Sequence, residues 1–118
     1  MKKYEVVKEN NQFSTIIQTG NYSKNKYIVL YYKDNSLLYP RFGISVGKKI
    51  GNAVTRNKFK RQIRSIIDNH KNLYSNGKDY IIMIRKSCNE ISFQELESAL
   101  IEVSMKQIRK GANNEAKI

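Results

Sequence analysis

Between Lys48 and Arg64 the chain carries Lys48, Lys49, Arg56, Lys58, Lys60, Arg61 and Arg64 without a single carboxylate, and apolar residues recur at Phe59, Ile63, Ile66 and Ile67. A segment with both properties has few ways to fold. At about 100° per residue from Asn52 onward, the four apolar side chains share one helix face, with His70 beside them. Lys60, Arg61 and Arg64 gather on the flank of that stripe with Asn57 among them, Arg56 at its border and Lys58 on the far side. The predicted helix therefore packs with one side and presents cations with another. Helices in solution usually intersperse acids at i,i+4 to relieve like-charge repulsion, and here Arg64 with Asp68 is the one such pair. The acid-free window reaches from Asp34 to Asp68 and also holds Arg41; the competing reading is a solvated basic face, and the unrelieved repulsion favours an external polyanion as the counter-charge.

A net charge of +12 and a pI of about 9.9 leave nucleic acid or an anionic membrane as that polyanion. The membrane fits poorly, because no apolar run approaches the roughly 20 residues of a spanning helix and Trp is absent. No apolar stretch of signal-peptide type follows Met1-Lys2-Lys3-Tyr4-Glu5, and a lone cysteine, Cys88, suits a reducing compartment. The expected location is the cytoplasm. Hydrolytic chemistry by the chain alone is disfavoured by its inventory. His70 has no second histidine to share acid and base roles, and its place on the apolar face favours packing. Two-metal hydrolysis needs clustered carboxylates, yet Asp34, Asp68 and Asp79 are scattered. One Cys and one His make no zinc set. No catalytic or metal-ligating residue is assigned.

The 118 residues read as one RNA-binding domain, 1–118, with no repeat, low-complexity block or linker. A first helix is predicted by Asn10 or Asn11 as cap, Phe13, Ile16 and Ile17 at i, i+3, i+4, and Gly20 as stop. Tyr27 to Tyr32 is β-branched and aromatic and reads as a strand. After the turn residues Asp34-Asn35-Ser36 and Pro40, Arg41 to Val46 reads as a second strand, expected antiparallel to the first. Gly47 and Gly51 bracket Lys48 and Lys49 in a connection whose glycines serve either RNA-backbone contact or plain turns, and which lacks the spacing of a nucleotide-binding loop. The basic helix should fade between His70 and Asn76. Tyr80 to Ile84 is apolar throughout, as in a central strand covered on both faces. Ser92-Phe93-Gln94-Glu95 matches a capping box for a last helix with Phe93, Leu96, Leu100 and Val103 as its stripe. About residues 111–118 read as a flexible tail without apolar pattern.

The run from Gly43-Ile44-Ser45-Val46-Gly47-Lys48-Lys49-Ile50-Gly51-Asn52-Ala53-Val54-Thr55-Arg56-Asn57 through Lys58-Phe59-Lys60-Arg61-Gln62-Ile63-Arg64 resembles the arginine-rich signature of the bacterial ribonuclease P protein subunit. The Phe13 helix ending at Gly20, the strand through Leu30-Tyr31, and Lys78-Asp79-Tyr80-Ile81-Ile82 extend the resemblance over nearly the whole chain. It implies an α+β fold: a two-layer α/β sandwich, ribosomal protein S5 domain 2-like, with a mixed sheet of about four strands and three helices in the order αβββαβα. It also implies a protein that joins a catalytic RNA, the pair hydrolysing precursor tRNA to release the 5′ leader, with magnesium held mainly by the RNA and no obligatory protein partner. By that resemblance Lys48, Lys49, Arg56, Asn57, Lys60, Arg61 and Arg64 contact the catalytic RNA, and Phe13, Ile17 and Tyr31 line a cleft for the single-stranded leader. Aromatic rings suit such a cleft, since stacking on an unpaired base is worth about 1–3 kcal/mol and tolerates many sequences. The competing reading of Phe13, Ile17 and Tyr31 is ordinary core packing. The competing function is a generic RNA-binding or ribosomal-type protein without a leader cleft, and DNA binding ranks below it because no helix-turn-helix or zinc pattern accompanies the basic helix.

Overall fold

The computed structural model describes residues 2, 5–7 and 10–116, the side chains of the last helix through Arg109. Its elements are α1 (Asn10–Thr19), β1 (Asn21–Lys24), β2 (Ile28–Asp34), β3 (Arg41–Ser45), α2 (Ala53–Asn69), β4 (Lys78–Ile84) and α3 (Phe93–Ala116). Short three-ten turns occupy Lys48–Ile50, Lys71–Leu73 and Lys86–Glu90. Helix α1 begins at Asn10 itself, so Asn11 lies inside its first turn. It stops where expected, with the Gly20 N–H donating to the Ile16 carbonyl at 2.9 Å. A Cβ on Gly20 would lie 2.5 Å from that carbonyl oxygen and 2.7 Å from that of Tyr32, so only glycine fits there. The capping box at the start of α3 forms in both directions, Ser92 N–H to Glu95 Oε1 at 3.3 Å and Glu95 N–H to Ser92 Oγ at 3.2 Å. The backbone of α3 continues through Ala116, into residues whose sequence carries no apolar pattern.

The sheet order is β1-β2-β4-β3, with β4 antiparallel to β2 and parallel to β3. This corrects the expected pairing of β2 with β3. A short connection favours a hairpin locally, but the apolar strand β4 has to be covered on both sides, and it takes the central position between them. Arg41 fixes the β3–β4 register through a bidentate pair with Asp79 at 2.8 and 2.7 Å, and Asn35 adds a third bond to the same carboxylate at 2.8 Å. On the outer edge of β3, Val6 forms a parallel bridge to Phe42. Strand β1 has no counterpart in the residue-level reading. It is four residues long and mostly exposed, and pairing with β2 defines it. Asn25 builds the connecting turn, its Oδ1 accepting from the Tyr27 and Ile28 N–H groups at 2.9 Å.

One face of the sheet carries the main core. Ile28, Leu30, Tyr32, Phe42, Tyr80, Ile82 and Ile84 meet Ile63, Ile66 and Ile67 of α2 and Leu96, Leu100 and Val103 of α3. Within it Phe42, Tyr74 and Tyr80 form an aromatic cluster with centroids 5.1 to 5.6 Å apart. Tyr74 shares a hydrogen bond with Ser104 at 2.9 Å, and Tyr80 Oη accepts from the Ser75 N–H at 2.8 Å. Because side chains alternate along a strand, the second face presents Tyr31 from β2, Gly43 from β3 and Ile81 from β4, and here α1 is laid across it. Val7, Ile16 and Ile81 make a separate small core, with Phe13, Ile17 and Tyr31 half-buried at its margin.

Candidate nucleic-acid interface

Helix α2 starts as the sequence dictates, with Asn52 at the N-cap accepting from the Thr55 N–H at 2.9 Å. Ile63, Ile66 and Ile67 are fully buried and Phe59 packs against their cluster, so the stripe sets the rotation of the helix. That rotation leaves Asn57, Lys58, Arg61 and Arg64 exposed and Arg56 and Lys60 half-buried. Lys48 and Lys49 are exposed on a turn anchored by buried Ile50, whose carbonyl accepts from Asn89 Nδ2 at 2.8 Å. Among the described residues, the ion pairs join Arg41 to Asp79, His70 to Glu97, Lys71 to Glu5 and Asp68, and Lys106 to Glu102. None draws on the cations of α2 or of the Lys48–Ile50 turn. The Nε of Arg56 is buried and makes no hydrogen bond among the described residues, and a buried donor left in that state costs about 1–3 kcal/mol. An acceptor brought by a ligand would remove that cost.

Phe13, Ile17 and Tyr31 come together on the second face of the sheet, away from α2 and α3. Each of the three is half-buried, packed against Val7, Ile16 and Ile81. Gly43 is what lets α1 sit so close. A Cβ there would lie 2.4 Å from Phe13 Cζ and 2.7 Å from Ile81 Cδ1. Beyond the row Tyr22, Tyr31, Ile81 and Gly43 comes the row Lys24, Val29, Met83 and Ser45, which lies outside both hydrophobic clusters, with Met83 and Ser45 half-exposed.

The topology then adds what the linear sequence hides. Parallel pairing of β3 with β4 brings their C-terminal ends to the same end of the sheet, and the β1–β2 turn lies there too, since the Arg85 N–H donates to the Tyr27 carbonyl at 2.9 Å. Lys24, Lys48, Lys49, Arg85 and Lys86, all exposed, therefore gather at that end of the sheet, and Lys26 joins them from the side of α3, where it lines a pocket with Gln94, Glu95, Ser98 and Glu102. Four of them, Lys24, Lys26, Arg85 and Lys86, escape any reading by local charge density, because each pair is isolated in sequence.

The remaining reactive groups are structural. His70 is half-buried at the C-cap of α2, and its Nε2 lies 3.2 Å from Glu97 Oε2, tying α2 to α3. Cys88 is buried and its thiol donates to the Tyr27 carbonyl at 3.2 Å, with burial pushing its pKa up to about 11. Among the described residues no group of three or more His, Cys, Asp or Glu side chains could hold a metal ion, and no helix is long and apolar enough to cross a membrane.

The whole arrangement has close relatives. A protein component of ribonuclease P from Bacillus cereus is 43% identical over 115 residues, covering 93% of this chain and all of the relative. One from Mycoplasma capricolum is 47% identical over 110 residues, covering 92% of this chain and all of the relative. Among solved structures, the ribonuclease P protein from Thermotoga maritima superposes with a TM-score of 0.78 at 29% identity, over 86% of this chain and 96% of that one. That from Staphylococcus aureus gives 0.78 at 35% identity, over 84% and 91%. The ribonuclease P family model matches residues 1–108, and together with these relatives it shows that the chain belongs to the family of bacterial ribonuclease P protein components.

Proposed function

We propose that this protein subunit of ribonuclease P docks on its catalytic RNA through the flank of α2 and receives the single-stranded 5′ leader of precursor tRNA across the open half of the sheet's second face. The observation that carries the proposal is the juxtaposition of two surfaces whose cations form no ion pair among the described residues. Arg56, Asn57, Lys60, Arg61 and Arg64 line the first. Phe13, Ile17 and Tyr31, leading toward Lys48, Lys49 and the other rim cations, make the second. A leader lying there would stack bases on Phe13 and Tyr31 while its phosphates meet the rim, a recognition mode that tolerates any sequence. Each group acts by positioning, so that the scissile phosphodiester is held where the RNA can hydrolyse it.

Ribonuclease P is a magnesium-dependent endoribonuclease. Among the described residues no group of three or more His, Cys, Asp or Glu could hold a metal ion, and Asp79, Glu5 and Glu97 are paired with Arg41, Lys71 and His70, which supports assigning the ions to the RNA. A charge of +12 and the lack of an apolar spanning segment support work in the cytoplasm, where the RNA is made. The test is binding by the reconstituted holoenzyme. Tyr31→Leu and Phe13→Leu should each weaken affinity for leader-bearing precursor about fivefold or more and leave mature tRNA unaffected. Equal losses on both substrates with a lowered melting temperature would assign these rings to the core. Protein freed of RNA should not cleave precursor at all.

A further inference from the structure

Tyr22 is an aromatic residue that belongs to neither hydrophobic cluster. It stands on the edge strand β1, directly opposite Tyr31 in the β1–β2 register, with half of its surface (50%) exposed. The two ring centroids are 6.2 Å apart and the planes are inclined by 51°. On the same face, two residues along, Lys24 places its Nζ 5.9 Å from the centre of the Tyr22 ring. Ser23, between them, points the other way and donates to the Val103 carbonyl at 2.6 Å, which locks the strand to α3 and fixes the facing of its neighbours.

The geometry points to Tyr22 as a second base-stacking position of the leader cleft, taking the unpaired nucleotide next to the one on Tyr31, with Lys24 against the phosphate between them. The inference rests on the leader reading of the cleft and adds a residue and a length requirement to it. Rings inclined by 51° leave no parallel slot between them, so they cannot clamp one base from both sides. Each instead offers its own open surface, and two rings then serve two bases. A large ring half exposed on an edge strand gains little by burial, and a cross-strand aromatic pair by itself contributes little to stability. The neighbouring cation suits the ring's electron-rich face in the free protein and remains available to a phosphate once a base arrives.

The experiment uses holoenzyme and a precursor tRNA whose leader carries single abasic nucleotides, scanned one position at a time. Tyr22→Leu keeps apolar bulk and removes the aromatic face, and should weaken affinity for the intact leader about fivefold or more. Affinity for leaderless tRNA should not change, and Tyr22→Phe should bind like the parent protein. One abasic position should become silent in Tyr22→Leu, adjacent to the position silenced by Tyr31→Leu. Unchanged leader affinity in Tyr22→Leu, an equal loss on leaderless tRNA, or the same silent position for both variants would overturn the assignment. If Tyr31→Leu shows a leader-specific loss and Tyr22→Leu does not, the cleft stands and Tyr22 falls. If neither shows one, the cleft reading fails first. Thermal unfolding of the free variants serves as the control, since an exposed ring should leave the midpoint nearly unmoved.

Discussion

Gly43→Ala tests whether the leader cleft is built on the contact between α1 and the sheet. The added Cβ would meet Phe13 Cζ at 2.4 Å, Phe13 Cε1 at 3.0 Å and Ile81 Cδ1 at 2.7 Å. Ile81 is fully buried in the central strand and has nowhere to go, whereas Phe13 is half-exposed on α1. Restoring ordinary carbon contacts of about 3.5–4 Å therefore requires the Phe13 ring, and α1 with it, to move outward by roughly 1–1.5 Å. Overpacking of this kind costs about 1–3 kcal/mol, or a midpoint lowered by roughly 4–8 °C per kcal/mol in a small domain. Phe13→Leu removes the two atoms that clash. In a four-member cycle measured by urea unfolding of the free protein, the double variant should therefore recover the part of the loss due to Phe13, a coupling of about 1 kcal/mol, while the 2.7 Å contact with Ile81 Cδ1 keeps the remainder. Holoenzyme carrying Gly43→Ala should also lose leader affinity, although residue 43 offers no side chain to the leader. Additive effects in the cycle, within about 0.5 kcal/mol, would show that Phe13 does not rest on Gly43 and would remove the floor of the cleft.

Three further outcomes follow from charge and burial. Replacing Lys60, Arg61 and Arg64 by Gln should reduce the slope of log affinity for the catalytic RNA against log salt by about 2–3, one counterion or slightly less per lost contact; an unchanged slope would put the docking face elsewhere. Burial holds the Cys88 thiol at about 11 and the Tyr74 hydroxyl at about 12, above their unfolded values. The folded state thus keeps its protons longer, and the stability these groups contribute is complete below about pH 8.5 and is lost progressively through pH 11–12. Cys88→Ala should flatten the first part of that decline in urea midpoints taken from pH 8 to 10, and a decline as steep as the parent's would refute the attribution. His70→Gln, which alters a half-exposed pair with Glu97, should cost no more than about 1 kcal/mol in urea unfolding and leave the pH profile of holoenzyme cleavage in place; a lost ionisation in that profile would give His70 a part in the chemistry.

What could be read from sequence was local. The α2 stripe, its Asn52 cap, the Ser92–Glu95 box and the apolar β4 each specify their own conformation within a turn or a strand's length, and the structure has them in place. What escaped is non-local. The partner of β3 is β4 and not β2, because the requirement to bury β4 on both faces outweighs the preference of a short connection for a hairpin. Strand β1 exists because Asn25 turns the chain and β2 offers an edge, neither of which four mostly exposed residues announce. The site divides in the same way. Dense cations on α2 were legible by count and period, but Arg85 and Lys86 meet Lys48 and Lys49 only through the parallel β3–β4 pairing, and Lys24 and Lys26 only through the antiparallel β2–β4 pairing. His70 ends α2 where the helix was expected to fade, but its partner Glu97 lies 27 residues away and no local pattern announces it.

The division of charge over the fold has a last consequence, for the protein without its RNA. Among the described residues the acids that form ion pairs use Arg41, His70, Lys71 and Lys106, so that network avoids the cations proposed to dock RNA. Lys60, Arg61 and Arg64 crowd one flank of a single helix with one acid nearby, at Asp68, and like charges at i,i+4 destabilise a helix by a few tenths of a kcal/mol per pair. Folding of the free protein thus works against the very residues that binding requires. The same triple Gln variant that weakens RNA binding should therefore leave the free protein as stable as the parent or raise its urea midpoint, most clearly at low salt, where repulsion is least screened. Raising the ionic strength should narrow that difference. A triple variant that unfolds more easily than the parent at every salt concentration would mean that these cations brace the fold, and their exposed flank would then be a structural surface rather than one held open for a phosphate backbone.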